Sequence, residues 1–120
     1  MRAHLAFVLA LFLAGCGQPV PLDKAAYIGR WEAPQMSLLI TADGNVRYRR
    51  VEGGTSKSVT GPLKGFKGNN FEVGVGPITT TFVVTAPPRR EGNAMKMTVD
   101  GVELTRQEDP GLRAGTPASA

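Results

Sequence analysis

The sequence predicts an all-β fold, a small antiparallel meander of seven or eight short strands that closes as an up-and-down barrel. Fifteen glycines and nine prolines are spread along the 120 residues, which suits short strands joined by tight turns. Several segments alternate apolar and polar residues, and none keeps an apolar period of 3.6 residues. Closing such a meander removes the exposed strand edges that would otherwise pair with other chains.

The clearest predicted strand pair surrounds a three-residue loop at 42–44, where Gly44 can adopt a left-handed conformation. This loop predicts that Ile40 faces Val46 on the buried side of the sheet. Arg47 and Arg49 then point to the opposite side, because successive side chains of a strand alternate between its two faces.

A second hairpin is predicted at Asp100-Gly101, a dipeptide that favours a two-residue turn. It predicts that Val99 pairs with Val102 and that Met97 pairs with Leu104. Two other segments have weaker strand patterns. We expect the polar segment 55–60 to be a short or edge strand and the segment 86–93 (APPRREGN) to be an exposed loop.

The first fifteen residues have the pattern of a secretory signal. Arg2 precedes an unbroken apolar run, Leu5 to Ala14, which is too short to span a bilayer comfortably. The run ends in Leu13-Ala14-Gly15-Cys16, which resembles the lipobox of bacterial lipoproteins. The resemblance implies that Leu13, Ala14 and Gly15 are recognised by the signal peptidase, and that Cys16 carries the lipid.

This resemblance sets the expected organisation of the chain. Residues 1–15 are the signal peptide, 16–26 the lipidated cysteine and an extended tether, 27–107 the barrel domain, and 108–120 a disordered tail. The partner implied for the N-terminus is the membrane, reached through the lipid. In proteobacterial lipoproteins, Gly17 rather than aspartate after the cysteine favours the periplasmic face of the outer membrane.

Loss of the signal peptide changes which chemistries remain available. The only histidine, His4, leaves with the signal, and the only cysteine, Cys16, is occupied by lipid. The mature chain then has neither thiol nor imidazole for a Cys/His zinc site or a nucleophile–histidine pair. The carboxylates are scattered and follow no calcium-loop pattern. We therefore expect no enzyme activity, no cofactor and no metal.

The start of the predicted domain carries a second resemblance. Gly29-x-Trp31 resembles the opening of the lipocalin-like, or calycin, family, in which the tryptophan closes the barrel base beneath an arginine from the last strand. The resemblance implies that Arg106 packs over Trp31. The chain also resembles small, uncharacterised proteobacterial lipoproteins with this opening and a DG-containing final hairpin. Strands this short favour an interior filled by side chains over a deep ligand cavity.

The chain is mildly basic, with 14 lysines and arginines against 10 acidic residues. Two arginine clusters are candidate surfaces for an anionic envelope component or an acidic protein partner: Arg47, Arg49 and Arg50 on one strand, and Arg89 and Arg90 in the segment 86–93. The alternative is that these charges are solvated faces that prevent aggregation of strand edges. Nucleic acid is not an expected partner, because the sequence predicts an exported protein.

Together these observations predict a membrane-anchored, periplasm-facing lipoprotein that acts as a non-enzymatic binding or envelope-interaction module. Two alternatives remain open from the sequence. The barrel could carry or sense a small apolar ligand, or the protein could inhibit a host enzyme such as lysozyme.

Overall fold

A computed structural model describes residues 17–107; the predicted signal peptide, the predicted lipid attachment at Cys16 and the predicted tail 108–120 lie outside the described residues. A short 3₁₀-helix, Leu22–Tyr27, precedes nine strands. The strands are β1 (Gly29–Ala33), β2 (Met36–Ile40), β3 (Asn45–Glu52), β4 (Thr55–Lys67), β5 (Asn70–Val75), β6 (Ile78–Phe82), β7 (Val84–Glu91), β8 (Ala94–Val99) and β9 (Val102–Arg106).

The predicted all-β antiparallel class is confirmed, with nine strands where seven or eight are expected. The strands form one sheet in the order β6-β5-β4-β3-β2-β1-β9-β8-β7, which curls strongly into a half-barrel. Within residues 17–107 no ladder joins the end strands β6 and β7, so the sheet does not close as the sequence predicts. Only Val83 separates these two strands, and a hairpin needs at least two turn residues to fold them side by side.

Both predicted hairpins have the expected register. Ile40 pairs with Val46 across the first turn. Val99 pairs with Val102 across the second, where Asp100 and Gly101 both have positive φ angles, 47° and 82°. Positive φ at both central residues is the requirement of a type I′ turn, whose twist matches that of the flanking strands.

The segment 55–60 is not a separate short strand but the beginning of the 13-residue strand β4, and its side away from β3 has no ladder within residues 17–107, as expected of an edge. Residues 55–62 of β4 pair with β3, and residues 63–67 pair with β5, with a shift in register between Leu63 and Gly65. The first half buries almost no side chain. Backbone hydrogen bonds to β3 hold this half of β4 in place. Because its side chains are polar and not buried, the sequence does not indicate how long the strand is.

The expected loop 86–93 is also different, because most of it belongs to strand β7. Arg89 pairs with Lys96 and Arg90 with Met95 on β8. The prolines of this segment fall where the register shifts, between Ala86 and Arg89. An end strand tolerates proline, because one of its edges has no partner that needs a backbone N–H.

The residues before β1 pack on the sheet and do not form the expected extended tether. The amide of Gln18 donates to the carbonyl of Leu63 at 3.0 Å, and that of Val20 donates to Ala42 at 3.0 Å. The 3₁₀-helix then brings Tyr27 into the core. Pro19 and Pro21 have no backbone N–H, so the hydrogen bonds to the sheet come from Gln18 and Val20, the residues that precede them.

A single core lies on the concave face of the sheet and includes Ile40 and Val46, which the sequence predicts to face the buried side. Trp31 is fully buried, and Tyr48, Phe71 and Phe82 join β3 to the β5–β6 pair through ring centroids 4.8 and 5.0 Å apart. The remaining buried side chains include Met36, Leu38, Leu63, Met97 and Leu104. No helix among residues 17–107 has the length and apolar character to span a bilayer.

Candidate functional site

The residues of the predicted barrel base come together on β1 and β9. Trp31 and Arg106 are register partners, and the Arg106 guanidinium carbon lies 5.8 Å from the centre of the indole ring. The indole Nε1 donates to the carbonyl of Tyr27 at 2.9 Å. A Cβ atom on Gly29 would lie 2.8 Å from Cδ of Arg106. This constellation is therefore a packing device, in which Arg106 covers the indole ring and a backbone carbonyl satisfies the indole N–H.

The candidate functional site is a groove on the outer, solvent side of strands β1 to β4, with a volume of about 590 Å³. Its floor consists of two rows of side chains that follow the register of the sheet. We call it the arginine groove, and its principal residues are Arg30, Leu39 and Arg47 in the first row and Glu32, Ser37 and Arg49 in the second.

Arg47 and Arg49 carry the positive charge of β3 into the arginine groove. Both side chains are exposed, and neither has a salt bridge or side-chain hydrogen bond within residues 17–107. They are two residues apart on one strand, so their Cα atoms are separated by roughly 7 Å. With Arg30 and Glu32 the groove holds three arginines and one glutamate and has a net positive charge.

Arg50, which the sequence groups with this cluster, lies on the other face of β3. Its guanidinium donates to the Glu52 carboxylate at 2.9 Å. Hydrogen bonding to the Tyr48 side chain, and then to Glu52, raises the pKa of Arg50 above its ordinary value. Arg50 is thus already paired and does not contribute its charge to the arginine groove.

The second predicted cluster is separate as well. Arg89 donates to Glu91 at 2.8 Å and to Glu103 at 2.7 Å, so two carboxylates compensate its charge. Arg90 is exposed on β7 and borders a shallow cleft of about 400 Å³ with Met95 and Arg106. Strands β2, β1, β9 and β8 separate β3 from β7. The two arginine clusters therefore do not form one surface.

Arg30 and Glu32 are groove residues that sequence reasoning missed. They flank Trp31, so strand alternation places them on the outer face once Trp31 is assigned to the core. Their position beside Leu39 and Ser37 depends on the β1–β2 register, which the short turn after Ala33 determines. That turn, Pro34-Gln35, contains a proline that marks a break between strands but no glycine that would indicate a hairpin register.

No group of three or more carboxylate, cysteine or histidine side chains that could hold a metal ion occurs within residues 17–107. The comparisons with known proteins add no relative: no family model, curated protein or solved structure matches this chain.

Proposed function

We propose that this chain is an exported lipoprotein, anchored to the membrane through Cys16, whose arginine groove binds an anionic envelope component or an acidic protein. The proposal rests on the exposure of the Arg47 and Arg49 side chains and on their lack of a charge partner in the described part of the chain. Their charges are exposed in a concave surface and lack a partner in the described part of the chain, whereas Arg50 and Arg89 are paired with glutamates.

The chemistry of the groove favours a ligand with carboxylate or phosphate groups. The planar fork of an arginine side chain matches both anions and can bind them through two parallel hydrogen bonds. Ser37, Ser58 and Thr60 add hydroxyl groups beside the two arginines. The groove is open along its length, which suits an extended ligand or a protein surface.

The filled core supports an action by surface contact. Tyr48, Phe71 and Phe82 occupy the space between β3 and the β5–β6 pair, and each is at most 5% exposed. The arginine groove lies instead on the outer, polar side of the sheet. No observation favours an internal apolar ligand or the inhibition of an enzyme.

Crosslinking in intact cells tests the groove. A photoreactive amino acid at Ser37, in the second row of the arginine groove, should form an adduct, while the same group at the exposed Thr85 of β7 should not form that adduct. The combined Arg47→Glu and Arg49→Glu changes should lower the adduct yield at least tenfold, because both charge-assisted contacts become repulsive.

Arg90→Glu and Lys57→Glu together provide the matched control, since they reverse two exposed charges outside the groove's two rows. An adduct at Ser37 that survives the groove changes, or that the control changes remove equally, would contradict the proposal. The anchor has its own test. Intact-mass analysis should show lipid on Cys16, and an unmodified polypeptide would exclude the anchor.

A further inference from the structure

The hairpin between β5 and β6 exposes two large apolar side chains side by side. Val75 is 67% exposed and Ile78 is 73% exposed. The two residues pair across the turn Gly76-Pro77, so they form one apolar surface at the hairpin tip. Water contact with both side chains is unfavourable, and transfer into an apolar environment would remove most of that area from water.

The polar groups of this turn are arranged for such a transfer. The Lys64 ammonium donates to the Gly76 carbonyl at 2.7 Å and to the Thr79 hydroxyl at 2.7 Å. A turn carbonyl that already has a hydrogen bond costs less to remove from water than a free one. Because the Lys64 ammonium lies at the turn itself, it would reach the level of the lipid headgroups together with the tip.

The hairpin tip lies close to the point where the chain leaves the described structure. Gln18 donates its amide hydrogen to Leu63, the residue next to Lys64. The segment at Gln18 and strand β5 therefore flank β4 on its two edges, about 10 Å apart at the usual strand spacing. Cys16 is two residues before Gln18 in the sequence, so a lipid on it would enter the bilayer beside this hairpin.

We propose that the tip formed by Val75 and Ile78 inserts into the interfacial region of the bilayer and acts as a second membrane contact beside the lipid on Cys16. The inference rests on the proposed function, because the lipid brings the tip to the membrane. Lys64, whose ammonium lies at the turn, would then meet anionic headgroups. Together, lipid and hairpin fix the orientation of the domain on the membrane.

Fluorescence quenching in vesicles tests the contact with the full, lipidated protein. Lipidation occupies the only cysteine, so Ile78→Cys introduces the sole free thiol, which takes an environment-sensitive fluorophore. The protein is reconstituted into phosphatidylethanolamine and phosphatidylglycerol vesicles that contain a nitroxide-labelled lipid. Val51→Cys is the matched control, because Val51 is also an exposed apolar residue, at 42%. Val51 is six residues after Asn45 on β3, which places it roughly 20 Å from the end of β3 that follows Gly44.

We expect several-fold stronger quenching at position 78 than at position 51. Equal quenching at both positions, or none at 78, overturns the inference about the tip. Intact mass and co-sedimentation with vesicles are measured on the same sample. Lipid on Cys16 and vesicle binding without quenching at position 78 refute the tip alone. A protein with no lipid on Cys16 that does not sediment with vesicles overturns the anchor and the tip together.

Discussion

Replacing Gly29 with alanine should destabilise the protein through two effects that can be separated. Gly29 has a φ angle of 139°, a conformation that side-chain-bearing residues rarely adopt. An added Cβ would also lie 2.8 Å from Cδ and 3.3 Å from Cγ of Arg106. The first effect is local to the backbone, whereas the second displaces the arginine that covers Trp31.

The structure sets the size of each effect. Backbone strain at such a φ angle costs about 1–3 kcal/mol. Displacing Arg106 from the indole face costs roughly 0.5–1 kcal/mol more in lost cation–π interaction. The change Gly29→Ala should therefore lower the free energy of unfolding by about 1.5–4 kcal/mol in the parent protein. In an Arg106→Ala background the steric conflict is absent, and only the backbone cost should remain.

Equilibrium unfolding in urea measures these differences, and the only tryptophan, Trp31, is a natural probe because it is fully buried. A double-mutant cycle over the four proteins should give a coupling energy of roughly 1 kcal/mol between positions 29 and 106. If the two changes are additive within about 0.3 kcal/mol, the close approach of Arg106 to Gly29 does not restrict position 29, and the reasoning is refuted.

Two further predictions concern stability. Asp100 accepts a hydrogen bond from the Val83 amide at 2.9 Å and has a positive φ angle. Asp100→Ala should therefore lower the free energy of unfolding in urea by about 2 kcal/mol. Asp100→Asn keeps an acceptor oxygen and tolerates this conformation, so it should lower that free energy by under about 0.5 kcal/mol. Burial raises the pKa of Tyr27 above its ordinary value of 10.0, so the folded protein holds the phenol proton more tightly than the unfolded chain does. The resulting stability is complete below pH 10.0 and is lost as the pH rises through the folded pKa. Tyr27→Phe, which lacks the 2.8 Å bond to the Asn69 carbonyl, should be less stable than the parent by about 1 kcal/mol at pH 8, and this gap should narrow above pH 10.

Each of these predictions has an outcome that would count against it. Equal losses for the two Asp100 variants would mean that the acceptor oxygen does not hold Val83 in place. For Tyr27, a difference between parent and phenylalanine variant that stays constant from pH 8 to pH 11 would show that the phenol proton is not linked to folding.

The sequence predicted the parts of the candidate site that depend on one strand and its nearest turn. Asn45 to Arg49 follow a turn whose glycine determines the register, so Val46 and Tyr48 face the core and Arg47 and Arg49 face solvent. The same reasoning failed for Arg50 and for Arg89. Their pairing with Glu52 and Glu103 depends on where each side chain lies relative to the carboxylate, and a list of basic positions does not contain that information.

Alternation and turn chemistry are local properties, and for this reason the amino-acid sequence by itself determined the antiparallel class, the two hairpin registers and the inward orientation of Ile40 and Val46. Only the tertiary structure determined which strands of different hairpins lie side by side and which side chains meet there. The single residue between β6 and β7 leaves the curled sheet open, and the return of β9 to β1 places Arg106 over Trp31. These results depend on pairing between residues far apart in the chain, because strands separated by many residues meet only when the whole sheet curls around one core.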